Sequence, residues 1–207
     1  MKLKRLLRIT ASAAVASLTS VAWAGFVQDS ETWSGVSGAG ASQHTVVTQA
    51  DYFALRGLKM YDFDGRACVI EVNQASLNGG SMTSSAGKLK ACEQRSSEAW
   101  KYLDVGAGLF ITSVEVCVQQ ADAGGGKLRG IRVQSASVNP NGSLKPAKAK
   151  TEILFGDCKK WAPKKSCPKG AVATGLRANF DDASLGYSGL ELRCHSLKTT
   201  AKAGESG

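Results

Sequence analysis

Apolar and polar positions alternate with period two at three well-separated places in this chain. Val114, Val116 and Val118 alternate with Glu115, Cys117 and Gln119; Ile131 and Val133 alternate with Arg132 and Gln134; Leu190 and Leu192 alternate with Glu191 and Arg193. Period two predicts strands with the aliphatic set on a buried face and the charges in water. The alternating segments also resemble one another. Ile70–Leu77, Ile131–Val138 and Leu190–Leu197 all fit aliphatic-charged-aliphatic-polar-x-x-Ser-aliphatic. Each follows an earlier look-alike, at Ala54–Met60, Ile111–Val116 and Ala173–Ala178. Gly57 and Ser113 are 56 residues apart and Ser113 and Gly175 are 62 apart, so three units of similar length are expected, at about 50–90, 105–140 and 167–198.

Between the strand patterns lie turn-rich segments such as Asn78-Gly79-Gly80-Ser81, Ala123-Gly124-Gly125-Gly126 and Asn139-Pro140-Asn141-Gly142. Residues 96–103 have room for a helical turn, and a strand with Trp100 and Tyr102 on one face fits them equally well. Units of about 60 residues cannot each bury a core alone, so they are expected to share one around a pseudo-threefold axis. About four strands per unit makes an all-β, single-domain prism of three sheets. A three-bladed propeller falls below the usual number of blades. A two-sheet sandwich gives no reason for a third copy.

The first 24 residues change the picture of where such a domain would work. Lys2, Lys4, Arg5 and Arg8 precede an uncharged stretch from Ile9 to Val21 and the small-x-small site Ala22-Trp23-Ala24, the pattern of a secretory signal peptide. The stretch is too short and too rich in Ser and Thr for a membrane anchor, and no later run is apolar enough to span a bilayer. Cleavage after Ala24 would leave 183 residues and lower the net charge from +9 to +5. The expected location is secreted or periplasmic, and the short basic leader suggests a bacterium.

All six cysteines, Cys68, Cys92, Cys117, Cys158, Cys167 and Cys194, follow that leader. An even number in an exported chain points to disulfides, and no two are close enough for a zinc site of the Cys-x2-Cys kind. Six cysteines allow 15 connectivities. The repeat favours Cys68 with Cys92, Cys117 with Cys158 and Cys167 with Cys194.

A family resemblance rests on the third unit. Cys167-Pro168-Lys169-Gly170, then Thr174-Gly175-Leu176-Arg177, the acidic turn Asp181-Asp182 and Ser188-Gly189-Leu190-Glu191-Leu192-Arg193-Cys194 resemble the signature of the vitelline membrane outer layer protein family. The likeness is good over Cys167–Cys194, fair over Gly108–Val133 and poor over Phe53–Leu77, where the Cys-Pro-x-Gly start is missing. It implies a type I β-prism of three Greek-key sheets, the arrangement also found in jacalin-type lectins, and loosely a carbohydrate-binding module.

Catalytic patterns are sparse. The two histidines are His44, in a polar N-terminal segment, and His195, which takes the place of Ala75 and Ala136 in the other repeats; neither sits in a nucleophile elbow. No phosphate-binding loop is present. No metal or other cofactor is expected, and an enzyme is disfavoured. The acidic clusters Asp62-Phe63-Asp64-Gly65 and Asp181-Asp182 read first as turn chemistry; as candidate ligand contacts they join Gly125 and Tyr187 in a ring of loops at one end of the prism, where carboxylates accept hydrogen bonds from sugar hydroxyls and an aromatic ring stacks on a sugar face. Residues 143–166 read as a basic linker, with Lys145, Lys148, Lys150, Lys159, Lys160, Lys164 and Lys165 around Trp161, a second candidate surface, for anionic envelope polymers. The leading expectation is a lectin-like binding protein for a glycan. The alternative is a protein-interaction module of the envelope or of a secreted complex, a toxin accessory or an inhibitor. Nucleic acid is disfavoured by export.

Overall fold

A computed structural model of the chain describes residues 25–39, 42–63, 65–78, 82–92, 100–120, 126–158, 160–181 and 186–200. The expected signal peptide lies outside them. The strands in chain order are β1 (Gly25–Trp33), β2 (Ser37–Gly38), β3 (Ser42–Val47), β4 (Phe53–Phe63), β5 (Arg66–Ser76), β6 (Met82–Lys90), β7 (Trp100–Asp104), β8 (Leu109–Gln120), β9 (Gly126–Val138), β10 (Leu144–Pro146), β11 (Thr151–Leu154), β12 (Lys165–Ser166), β13 (Ala171–Asp181) and β14 (Gly186–Thr200). They form three antiparallel sheets, ordered β6-β5-β4-β7, β10-β9-β8-β12 with β11 also on β9, and β1-β14-β13-β3 with β2 also on β14. Each sheet is built on one long hairpin, β4–β5, β8–β9 or β13–β14, and these hairpins are the three sequence repeats. The chain is an all-β prism.

The eight-residue template now has a geometric meaning. Its last aliphatic residue follows the previous one by five positions, an odd number, so the two point to opposite sheet faces. Accordingly Ile70, Val72, Ile131, Val133, Leu190 and Leu192 lie in the central core, while Leu77, Val138 and Leu197 join a second cluster with Phe26, Phe110 and Val172. The strand opposite each template carries a bulge at the same height, at Arg56, Thr112 and Thr174. Each bulged carbonyl accepts a hydrogen bond from the neighbouring segment: from Val105 N at 3.2 Å, Cys167 N at 2.8 Å and Thr48 N at 2.8 Å. Bulges add one residue and turn the strand, and this one recurs in all three sheets.

The charges of the repeats do not simply face water. Glu115 and Glu191 are each only 7% exposed. Glu115 accepts from Arg132 Nη2 at 2.6 Å and from Lys150 Nζ at 2.9 Å, and the Arg132 guanidinium lies 4.2 Å from the Trp161 ring centre. Glu191 pairs with Arg177 at 3.1 Å, and Arg177 lies 3.7 Å from the Trp33 ring. In the first sheet Glu71 is 3.7 Å from Lys59, which sits 4.3 Å from the Trp100 ring. One Glu–cation–Trp stack therefore covers the outer face of every sheet, with the tryptophan supplied by a different segment each time.

That arrangement explains residues 143–166, expected as a basic linker. They carry β10, β11 and β12 and wrap the second sheet, with Trp161 against Gly130, where a Cβ would stand 3.2 Å from the indole. Residues 25–47 supply β1, β2 and β3 to the third sheet. Residues 100–104 are a strand, not a helical turn, with Trp100 half-buried and Tyr102 64% exposed. The disulfides are Cys68–Cys92, Cys117–Cys158 and Cys167–Cys194, the pairing the repeat favours.

Candidate functional site

The last residues of β8, the first of β9, the β4–β5 turn at Gly65 and the β2–β14 pairing come together at one end of the prism. At the β4–β5 tip Gly65 holds φ +66°, a left-handed conformation that glycine takes at little cost. Its carbonyl accepts a hydrogen bond from Arg129 Nη1, near the start of β9, and Arg129 Nε donates to Gln119 Oε1 at 2.7 Å near the end of β8. Arg129 thus ties the β4–β5 turn to the end of β8. The start of β14 reaches the same end through β2: Gly38 and Ser37 pair with Gly189 and Leu190, and Ser37 Oγ accepts from Val116 N of β8 at 3.1 Å. Gly38, at φ +98°, is pressed between the Ser188 carbonyl and the Val116 side chain, which leaves no room for a Cβ.

Several of the residues expected at this end are placed. Asp62 is beside the first tip with its carboxylate 2.9 Å from Lys101 Nζ, so one of its oxygens is already engaged. Tyr187 is fully buried in the central core, with its ring T-shaped to Phe180 and to His44. It offers no ring face to a ligand from solvent: a bulge at Ser188, between the Asn179–Gly189 and Phe180–Tyr187 pairs, shifts the alternation by one and turns Tyr187 to the same inner face as Leu190 and Leu192. Burial without a charge partner raises its hydroxyl far above the usual phenol range. Asp181 closes β13, opposite Gly186. Asp64, Gly125 and Asp182 lie outside the described residues. Trp161 is half-buried, its backbone bridged to Cys117 of β8 and its ring stacked by Arg132 at 4.2 Å, so the indole packs on the second sheet rather than standing free.

Two buried groups at this end have no hydrogen-bond partner. Both side-chain atoms of Asn179, on β13, and the hydroxyl of Tyr187, on β14, are buried and unsatisfied, an uncommon and costly state in a folded protein. Both residues belong to the strands that carry the third hairpin. Asn179 had no sequence signal, since a polar residue between Ala178 and Phe180 reads as an ordinary outward position. Arg129 was missed because it stands outside the repeated template.

Both histidines belong to the third sheet. His44 is on β3, its ring stacked on Phe180 at 5.8 Å. His195 is 6% exposed at the opposite end of its sheet, with Nδ1 2.6 Å from Thr174 Oγ1 and Nε2 3.8 Å from Glu31. Burial, helped by Arg193 and opposed by Glu31 and Asp51, holds it below the usual imidazole value. Among the described residues no group of three His, Cys, Asp or Glu side chains could hold a metal ion, and no helix is long and apolar enough to cross a membrane.

No family model matches the chain, and no curated protein matches it. Solved structures do. Calsepa lectin, in complex with a biantennary N-glycan, superposes with a TM-score of 0.54 at 9% identity over 81% of this chain and 98% of that one. Frutalin from Artocarpus incisa gives 0.53 at 9% identity over 81% and 97%. A mannose-binding jacalin-related lectin from Ananas comosus gives 0.51 at 8% identity over 80% and 98%. At such identities the likeness shows the fold: a type I β-prism, as expected, with neighbours among the jacalin-related lectins.

Proposed function

We propose that this protein is a lectin-like carbohydrate-binding module whose contact surface is the end of the prism formed by the hairpin tips. The observation that carries the reading is the convergence there of the β4–β5 tip, the β8–β9 strand ends and the β2–β14 pairing. The sequence of those tips is rich in Gly and Asp, with Asp62, Asp64, Gly65, Gly124, Gly125, Asp181 and Asp182. Such residues let a sugar approach the backbone and accept hydrogen bonds from its hydroxyls. The lectins sharing the fold, among them one in complex with an N-glycan and one described as mannose-binding, support the class of ligand. No step of bond-making or bond-breaking chemistry belongs to this reading. Export is part of the proposal: the leader pattern and three disulfides suit an oxidising compartment.

The test is a glycan array with the mature, oxidised protein, repeated with Asp62→Asn and with Asp181→Asn plus Asp182→Asn. The expected outcome is sugar-selective binding, competed by the free sugar and weakened about tenfold or more by the acidic-tip variants, roughly the worth of one hydrogen bond to a charged group. Binding that ignores these changes would move the site elsewhere. No selective binding at all would favour a protein-interaction module.

A further inference from the structure

The three bulges are equivalent, but what surrounds them is not. In the third sheet Thr174 lies against the imidazole of His195. In the first sheet the bulge position holds a long side chain, Arg56, fixed by two bonds to Asp104 at 2.8 and 2.9 Å. In the second sheet the bulge residue is Thr112 and the position of His195 is taken by Ala136. Both are small, and a cleft of about 380 Å³ opens there, walled by Ala136, Leu144, Pro146, Pro168 and Ala171. This volume falls in the range of small-molecule sites, which are mostly apolar with a few placed polar groups.

Among the described lining residues the charged one is Lys169, and Thr112 Oγ1 already donates to the Gln134 carbonyl at 3.3 Å. Thr112, Ser113 and Gln134 line the cleft. Gln134 Oε1 faces Lys164 Nζ at 3.2 Å and Ser113 Oγ at 3.4 Å. An ammonium can only donate, so the atom facing it is the oxygen, and the Gln134 amide N–H is turned away from it. Lys169 stands exposed at the mouth, and beyond it a shallower depression runs on past Ser143 and Gly170 to Lys198. No carboxylate lines the cleft, and the outer depression has Asp29 alone.

We propose that this cleft binds a small amphiphilic carboxylate, with its hydrocarbon body against the alanine, leucine and proline walls and its anionic group at the mouth beside Lys169. The site is on the bulge side of the second sheet, where Ser143 and Gly170 close the prism away from the hairpin tips, so it stands or falls separately from glycan binding.

The experiment is an amide NMR titration of the oxidised mature protein with octanoate, octanol and octylamine. Octanoate is expected to shift the amides of Thr112, Ser113 and Gly170 saturably, octanol to bind about tenfold more weakly and octylamine not to saturate, a difference of the size expected for one charge contact. Thr112→Leu fills the cleft at a position where the first sheet accommodates an arginine, and it should abolish the octanoate shifts while the remaining spectrum stays native. Lys169→Gln, an exposed change, should weaken octanoate and leave octanol unchanged. Octanoate binding retained in Thr112→Leu, equal binding of octylamine, or no saturable shift with any of the three overturns the proposal.

Discussion

Glu115 shows what the repeats do with a charge. It sits on an outer sheet face, as alternation requires, yet it is buried between Arg132 and Lys150 with Trp161 closing over the guanidinium. Burial would raise its carboxyl, but hydrogen bonds from Arg132 and Lys150 outweigh it and hold the group below the usual range. Without Glu115 the half-buried Arg132 loses its 2.6 Å partner and keeps only the more distant Glu152, at 3.9 Å, so Glu115→Ala is expected to cost about 1–2 kcal/mol rather than the few tenths of an open surface site. Chemical denaturation of the variant checks this. Trp161→Ala should cost a similar amount by uncovering the same pair. Acid acts on the same groups. The unfolded His195 takes a proton as pH falls through about 6.5, its ordinary value, while the folded one resists, so the unfolded state binds more protons and stability falls with pH there. Glu31, Asp104 and Glu115, all lowered in the fold, extend the loss to lower pH, as the pH drops through their folded values. Melting temperature should therefore decline between pH 7.5 and 5.5, and His195→Gln should flatten that interval without changing the steeper loss below pH 4.5.

At the scale of the element, the aliphatic alternation identified the strands that matter most. Val116, Val133, Leu176, Leu190 and Leu192, the inward set expected from period two, are all essentially inaccessible. Truncating Leu176 or Leu190 to Ala should cost about 2–4 kcal/mol in denaturant unfolding. Equal costs at the exposed Lys88 or Glu152 would contradict the register. The disulfides join neighbours along the chain: each repeat supplies a cysteine, and in the first two its partner, Cys92 or Cys158, lies beyond the repeat; reduction should lower the melting temperature strongly, each bridge being worth about 2–4 kcal/mol. What was not legible has physical reasons. β1 and β3 lie at the edges of their sheet, where one side is open and Gln, Ser and Thr serve as well as Val, so no alternation marks them. The bulges at Arg56, Thr112 and Thr174 carry no common residue, two threonines and an arginine, since a bulge is a backbone event. The Trp stacks pair residues far apart in sequence, so the lysine-rich stretch read as a linker although its Lys150 and Trp161 hold the second sheet's outer face.

For the whole molecule, threefold repetition was enough to specify a prism, because three hairpins that cannot stand alone must share one core. It could not specify the ligand surface. Asp62 is half-committed to Lys101, Tyr187 points into the core, and Trp161 is covered by Arg132, so three of the side chains expected to meet a ligand serve the fold first. What remains is the tip end itself, with Arg129 tying two hairpins together and Asn179 and Tyr187 unsatisfied beneath the third. The most direct measurement is an amide NMR titration of the oxidised mature protein with the glycan that ranks highest on the array. Glycan binding at the tips should shift Gly38, Gly65, Arg129 and Gly189 saturably and leave Thr112 and Gly170, on the bulge side, unmoved. Saturable shifts confined to the bulge side, or to the exposed face around Tyr102, would contradict the account.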